Sequence, residues 1–196
     1  GDISKALNNL VLSGFVVVCN YYGRKKKDAL YQLSDYYTMF YFRYIKDHYG
    51  KDEHFWSNSI DNAARKVWEG ITFERLCKDH VKQIKHKLGI SGVLSEESSW
   101  KIKTDEEKGI TGAQIDLLID RRDRVVSLCE MKYSINDFTI DKEYDANLRN
   151  KVDSFSKATK CRKTIQLVMV TTYGVRRNKY SGLVGTEITL DELFHE

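Results

Sequence analysis

Two apolar runs constrain this chain most, "AQIDLLID" and "VVSLCEMKYS", because they carry Asp116, Glu130 and Lys132 among aliphatic residues. Their β-branched content predicts two buried strands joined as a hairpin over 113–133. A buried charge costs free energy unless it is paired or bound to a ligand. These three charges are therefore the first candidates for a functional site.

Alternation along the strands predicts which side chains share a face. Successive residues of a strand point to opposite faces of the sheet. In the first strand one face is therefore expected to carry Ile115, Leu117 and Ile119, and the other to carry Gln114, Asp116 and Leu118. In the second strand, Glu130 and Lys132 share a face. A three-residue turn centred on Asp123 sets Asp116 opposite Glu130, about 5 Å apart at Cβ.

Two explanations of this arrangement stay open on spacing alone. Opposed carboxylates repel, so a divalent cation bound between Asp116 and Glu130 fits them, with Lys132 beside it to hold a phosphate or a water. The alternative is an acid–lysine pair on a solvent-facing strand, which needs no metal.

Composition narrows the class of protein. The chain has 196 residues, of which 41% are hydrophobic, which is enough for one packed domain and a smaller segment. No apolar run is long enough to cross a membrane, and no signal peptide is evident. The four scattered cysteines predict reduced thiols in a cytoplasmic protein rather than zinc ligands or disulfides. A net charge of +4 permits a polyanionic partner without requiring one.

Residues 1–57 predict a partial winged helix followed by an aromatic linker helix. A helix capped by Ser4 precedes the β-rich runs "FVVVCNY" and "ALYQLS". The turn between these runs carries Lys25, Lys26 and Lys27, a basic wing that either contacts phosphate or is simply solvated. The aromatic residues of "DYYTMFYFRYIKDHYG" either stack bases or pack internally. The segment is expected to be the second half of a winged helix-turn-helix, with the chain beginning inside that domain.

Residues 58–196 predict a mixed α/β domain. The order is one long helix or two over 59–89, a strand over 98–104, the hairpin, a helix over 139–160 and a buried strand over 164–174. A short strand and a last helix are expected in the tail, "TEITLDELFHE". This order favours a central mixed sheet flanked by helices.

At the hairpin the sequence resembles the PD-(D/E)xK nuclease superfamily. Asp116 is followed by Glu130-Met131-Lys132, with Ile115 where the motif name has proline. Together with "WEGITFERLCKDHV" and "YQLSDYYTMFYFRYI", the hairpin is similar to the C-terminal region of archaeal-type AAA ATPases, a winged helix followed by a nuclease-like domain. The resemblance implies a restriction-endonuclease-like mixed sheet. This chain has no P-loop motif, so nucleotide binding is expected only in a longer parent protein.

The resemblance also implies roles for individual residues. Asp116, Glu130 and the Met131 carbonyl would hold Mg²⁺ or Mn²⁺, Glu74 of "TFERL" would complete the shell, and Lys132 would act on the attacking water. The candidate DNA-contacting residues are Gln114, Lys25, Lys26, Lys27, Tyr144 and Lys151. The expected partners are DNA and the ATPase domain of the same parent protein, and a homo-oligomer is left open.

The expected activity is metal-dependent hydrolysis of DNA phosphodiesters. Two rivals stay open: a non-catalytic DNA-binding module, and a regulatory or oligomerisation arm of the ATPase. Metal binding separates the nuclease from the regulatory arm, because only the nuclease requires it.

Overall fold

The computed structural model describes residues 2–25, 28–47, 50 and 52–195. The chain divides into two compact units, one of residues 1–20 and 24–72, the other of residues 21–23 and 73–196. The predicted strands of the wing and the predicted central sheet are present, so the fold is a mixed α/β fold.

The N-terminal unit begins with a helix and a hairpin, as predicted. Its elements are α1 (Asp2–Leu12), β1 (Val16–Cys19), β2 (Leu30–Leu33), α2 (Tyr36–Phe40) and a π-helical turn (Tyr41–Ile45). Strands β1 and β2 are antiparallel. The cap prediction for Ser4 is wrong, because α1 already begins at Asp2 and Ser4 lies inside it. Asp35 caps α2 by accepting a hydrogen bond from the Thr38 amide.

The aromatic residues of this unit divide into a packed set and an exposed set. Phe40 and Tyr44 pack edge-on against Trp56 and Trp68, with centroids 5.0 to 6.0 Å apart. Internal packing therefore accounts for these side chains. The exposed apolar residues include Leu12, Phe15, Val18, Tyr37 and Phe42.

The remaining helices and strands follow the predicted order except at the end, where the predicted last helix is only a three-residue 3-10 helix, Asp191–Leu193. They are α3 (Ala63–Asp79), α4 (Val81–Lys87), β3 (Ser95–Ile102), β4 (Ala113–Arg121), β5 (Val125–Lys132), α5 (Lys142–Thr159), β6 (Thr164–Thr171) and β7 (Thr186–Thr189). The sheet order is β3-β4-β5-β6-β7. Strands β3, β4 and β5 are antiparallel neighbours, while β6 is parallel to both β5 and β7.

Of the two alternatives predicted for segment 59–89, two helices is confirmed, and the bounds of several other elements differ from those predicted. The helical segment 59–89 is two helices, because the chain leaves helical geometry at His80, whose φ and ψ are −106° and 27°. Strand β3 begins at Ser95, before the predicted start at residue 98. Its first residues, Ser95 to Glu97, are polar, so pairing with β4 rather than hydrophobicity makes them a strand.

Two apolar clusters cover the faces of the five-stranded sheet. One joins Phe73, Cys77 and Ile84 of the helices α3 and α4 to buried residues of β4 to β7. The other joins Leu148 and Phe155 of α5 to the opposite face. The sheet therefore lies between two helical layers. No helix in the described part of the chain is both long and apolar enough to span a membrane.

All four cysteines are free thiols. Cys77 and Cys129 lie in the core, as expected, and burial raises the pKa of Cys129 to about 12. Cys19 and Cys161 are only half-buried.

Candidate active site

The turn between β4 and β5 sets the register of the candidate site. Strand β4 ends at Arg121 and β5 begins at Val125, which leaves a three-residue turn centred on Asp123. Arg124 adopts φ 66°, the left-handed conformation that often ends a turn of this length. The pairing runs from Asp120↔Val126 to Leu117↔Cys129, so the predicted register is confirmed. The ladder of β4 with β5 ends at Leu117↔Cys129, one residue before Asp116 and Glu130.

A β-bulge interrupts β4 beside Asp116. Ser98 pairs with Leu118, but Trp100 pairs with Ile115, so β4 has one more residue than β3 at this point. The Ser99 hydroxyl donates to the Asp116 carbonyl at 2.8 Å across the irregularity. A bulge bends a strand and re-aims a side chain, and bulges are enriched beside active sites.

The bulge overturns the predicted facing of Ile115. Ile115 packs in the α5-side cluster with Leu118, whereas Leu117 packs in the cluster of α3 and α4. The prediction that Ile115 and Leu117 share a face is therefore wrong. The extra residue in β4 shifts the alternation by one position.

Glu130 is the centre of the site. It is 3% exposed and lies on the face of β5 covered by α5. The Tyr144 hydroxyl donates to Oε1 at 2.8 Å, and Lys151 Nζ donates to Oε2 at 2.5 Å. Lys132 Nζ lies 3.4 Å from Oε1 and 5.8 Å from the centre of the Tyr144 ring. Glu130 and Lys132 share a face, as predicted.

Helix α5 delivers its two side chains to Glu130 because its start is fixed. The Asp141 side chain caps the helix by accepting a hydrogen bond from the Tyr144 amide at 2.8 Å. Tyr144 and Lys151 are seven residues apart, which is about two helical turns and one face. Burial, the Glu130 charge and the hydrogen bond raise the pKa of Tyr144 far above its usual value, so the phenol remains a proton donor.

Glu74 and Asp116 carry negative charge that the protein only partly offsets. Burial, followed by the charge of Asp116, raises the pKa of Glu74 to about 6. Burial and then the Glu130 charge raise the pKa of Asp116. Among the described residues, neither Glu74 nor Asp116 forms an ion pair, although Lys78 and Lys132 favour the ionised form of both.

The donor set is compatible with Mg²⁺ but is not a complete protein cage. Within residues 2–25, 28–47, 50 and 52–195, no three His, Cys, Asp or Glu side chains are gathered to hold a metal ion. Mg²⁺ prefers oxygen ligands, retains several waters and is usually bound through one or two carboxylates plus substrate phosphates. Asp116, which is buried, and Glu74, which is half-buried, form no ion pair with any described residue and meet that smaller requirement.

The remaining predicted residues lie in different places. Gln114 is exposed, and its amide is 3.5 Å from Asp116 Oδ1. The Met131 side chain is in the core, and its backbone belongs to the ladder between β5 and β6. Lys25 is exposed in the N-terminal unit, whereas Lys26 and Lys27 lie outside the described residues.

The sequence reasoning did not find a groove lined by lysines of α3 and α4. Lys78 of α3 and Lys82 and Lys85 of α4 line a cavity of about 560 Å³ together with Val81, Ser91 and Glu97. The spacing of three residues between Lys82 and Lys85 predicts that these two share a helix face.

Comparison with known proteins adds little. No family model matches the chain, and no curated protein matches it. One similar solved structure is that of a protein of unknown function, AF1548, at 14% identity and a TM-score of 0.41. The match covers 60% of this chain and 64% of that one, which is less than two-thirds of that protein's length. A likeness this weak carries no functional argument.

Proposed function

We propose that this chain is a restriction-endonuclease-like domain that hydrolyses DNA phosphodiesters with Mg²⁺ or Mn²⁺, as part of a larger AAA ATPase. The observation that carries the proposal is electrostatic: the charges of Asp116 and Glu130 act on Glu74, and the charge of Glu130 acts on Asp116, beside Lys132. Burial and neighbouring carboxylates raise the pKa of Glu74 and of Asp116, and acids with pKa values raised in this way are concentrated at functional sites.

Each residue has a role in this proposal. Asp116, Glu130 and the Met131 carbonyl hold the metal, and Glu74 completes or hydrogen-bonds its shell. The metal, when bound, supplies Lewis-acid polarisation of the phosphodiester and a more acidic water. Lys132 orients the attacking water and donates to the charge that develops on the phosphate. Tyr144 holds the Glu130 carboxylate in position through its hydroxyl.

Two further parts of the proposal rest on the resemblance. The wing at Lys25 to Lys27 would contact the DNA backbone, and an ATPase domain of the same parent protein would supply nucleotide hydrolysis. The helix and hairpin of the N-terminal unit support the first of these parts.

The test is plasmid nicking with Mg²⁺ or Mn²⁺ by wild type, Glu130→Gln and Lys132→Ala. Loss of an anionic ligand or of the phosphate donor should lower the rate about a hundredfold or more. Lys157→Ala is the matched control, because Lys157 lies on α5 and pairs with Asp153 at an exposed position. Circular dichroism checks folding. Equal nicking by all four proteins would assign the activity to a contaminant.

A second candidate is a non-catalytic DNA-binding module. It is favoured by the contacts of Glu130, since the Tyr144 hydroxyl and the Lys151 amine already occupy both of its carboxylate oxygens. This candidate predicts DNA binding without cleavage. A Mn²⁺ soak of crystals distinguishes the two, because only the nuclease requires anomalous density between Asp116 and Glu130.

A further inference from the structure

A cleft opens at the carboxyl ends of the parallel strands β5 and β6. It has a volume of about 540 Å³ and is lined by Ile135, Asn136, Asp137, Tyr173 and Arg176. This volume is within the range of roughly 300–1000 Å³ found for small-ligand sites. We call it the strand-end cleft.

Hydrogen bonds join the two loops that form the strand-end cleft. The Phe138 amide donates to the Gly174 carbonyl at 2.8 Å, and the Arg176 amide donates to the Phe138 carbonyl at 2.9 Å. The Ser134 amide donates to the Thr172 hydroxyl at 3.0 Å. Because both walls are tied together by their backbones, the cleft is shaped before any ligand arrives.

The cleft is continuous with the candidate active site along the chain. Lys132 pairs with Thr171 as the last residue pair of β5 and β6. The loops that follow β5 and β6 form the cleft walls. Ile135 comes three residues after Lys132, and Tyr173 comes two residues after Thr171. The lining of the cleft therefore begins within three residues of the last pair of β5 and β6, Lys132↔Thr171.

The side chains of the cleft combine an aromatic surface with a free cation. Tyr173 is 59% exposed and Ile135 is 78% exposed, which is unusual for side chains on ordered walls. Arg176 is exposed and forms no ion pair with any other described residue. Asn136 and Asp137 add hydrogen-bonding groups of the kind that contact the edge of a base.

We propose that the strand-end cleft binds one unpaired nucleotide of single-stranded nucleic acid next to the scissile phosphate. The base stacks on Tyr173 and Ile135, and its phosphate pairs with Arg176. This inference rests on the proposed function, because it places the nucleotide beside the phosphate that Lys132 contacts.

Single strands are favoured over duplex for a geometric reason. A tyrosine ring stacks only on a base whose face is exposed, and both faces of a base inside a duplex are covered by its neighbours. Asp137, which is also in the cleft, repels a second phosphate and so favours a base there. The substrate class is therefore nucleic acid with a single-stranded segment, such as an end, a gap or a flap.

Binding is measured by fluorescence anisotropy with a labelled oligothymidylate, in EDTA so that no cleavage occurs. Labelled oligouridylate and duplex of the same length form parallel arms. We expect wild type to prefer the single strands to the duplex, and Tyr173→Ala to weaken single-strand binding at least about fivefold, while Tyr173→Phe retains it. Phe194→Ala, an exposed ring that packs on His80, should change nothing.

The salt dependence tests Arg176 separately. Arg176→Ala should reduce the slope of log affinity against log salt by about 0.7, the value for one lost phosphate contact on a single strand. Arg122→Ala, an exposed arginine in the turn between β4 and β5, should leave the slope unchanged.

Three results would overturn the inference: no single-strand binding by wild type, equal affinity of Tyr173→Ala and wild type, or equal binding of duplex. The outcome is independent of hydrolysis. Tyr173-dependent binding without nicking in the parallel plasmid assay would count against the nuclease and support the cleft. Nicking without Tyr173-dependent binding would support the nuclease and refute the cleft inference.

Discussion

The amine of Lys151 lies 2.5 Å from Oε2 of Glu130, so a lysine from α5 neutralises a carboxylate of β5 that is only 3% exposed. In the absence of metal this lysine is the nearest cation to Glu130, closer than Lys132 at 3.4 Å. A metal that binds Glu130 through Oε2 must take the place of Lys151. The ion pair therefore stabilises the fold and opposes metal binding.

Removing Lys151 should destabilise the protein. We expect Lys151→Met to cost about 3 kcal/mol in the free energy of unfolding, the lower end for a broken buried pair, because Tyr144 and Lys132 remain at Glu130. Urea unfolding without metal measures this cost. Lys157→Met is the control, since its pair with Asp153 is more than half exposed and should contribute under about 0.5 kcal/mol.

Metal should restore much of that stability. Mg²⁺ supplies the missing positive charge at Glu130, so it should raise the melting temperature of Lys151→Met more than that of wild type. Identical Mg²⁺ responses of the two proteins would show that Lys151 and metal do not compete.

Glu74 predicts a dependence of stability on pH. Its folded-state pKa of about 6 lies above the ordinary value of 4.5, so ionisation disfavours the folded state as pH rises through this window. Glu74→Gln should be more stable than wild type above pH 6, by about 1 kcal/mol after discounting for its partial exposure. The stability difference between Glu74→Gln and wild type should vanish below pH 4.5, because Glu74 is then protonated in both the folded and the unfolded state. Thermal unfolding across this range measures it, and a pH-independent difference would assign the effect to packing.

Substitution of Asp116 should have opposite effects on stability and on metal binding. Burial and the charge of Glu130 raise its pKa, so the charged form disfavours the folded state at neutral pH. We expect Asp116→Asn to raise the melting temperature without metal and to weaken Mg²⁺ binding measured by calorimetry. Asp153→Asn, an exposed acid on α5, is the control and should leave metal binding unchanged. A destabilised Asp116→Asn variant would show that the carboxylate serves the fold.

A substitution in the turn between β4 and β5 should increase the stability of the protein. Arg124 adopts φ 66°, which costs a non-glycine residue about 1 kcal/mol. Arg124→Gly removes this cost but gives the unfolded chain more freedom, so we expect a net gain of about 0.5 kcal/mol in urea unfolding. Arg122→Gly, at an ordinary position of the same turn, should be destabilising, and a gain there would refute the conformational explanation.

The sequence by itself determined the hairpin and its register. The period of two in β5 placed Glu130 and Lys132 on one face, and the turn length at Asp123 set the pairing. Both depend on neighbours in the chain, where backbone geometry leaves few choices. Tyr144 and Lys151 are seven residues apart in the sequence, and this spacing likewise puts them on one face of α5.

Only the tertiary structure decided what lies on that face and around it. The bulge at Asp116 depends on the pairing of β4 with β3, so alternation within β4 gave the wrong side for Ile115. The ion pair of Lys151 with Glu130 depends on where α5 packs. The strand-end cleft joins loops at 135–137 and 173–176 that come together only because β5 and β6 are parallel neighbours. Contacts between segments far apart in the chain are chosen by burial over the whole core, which no local pattern encodes.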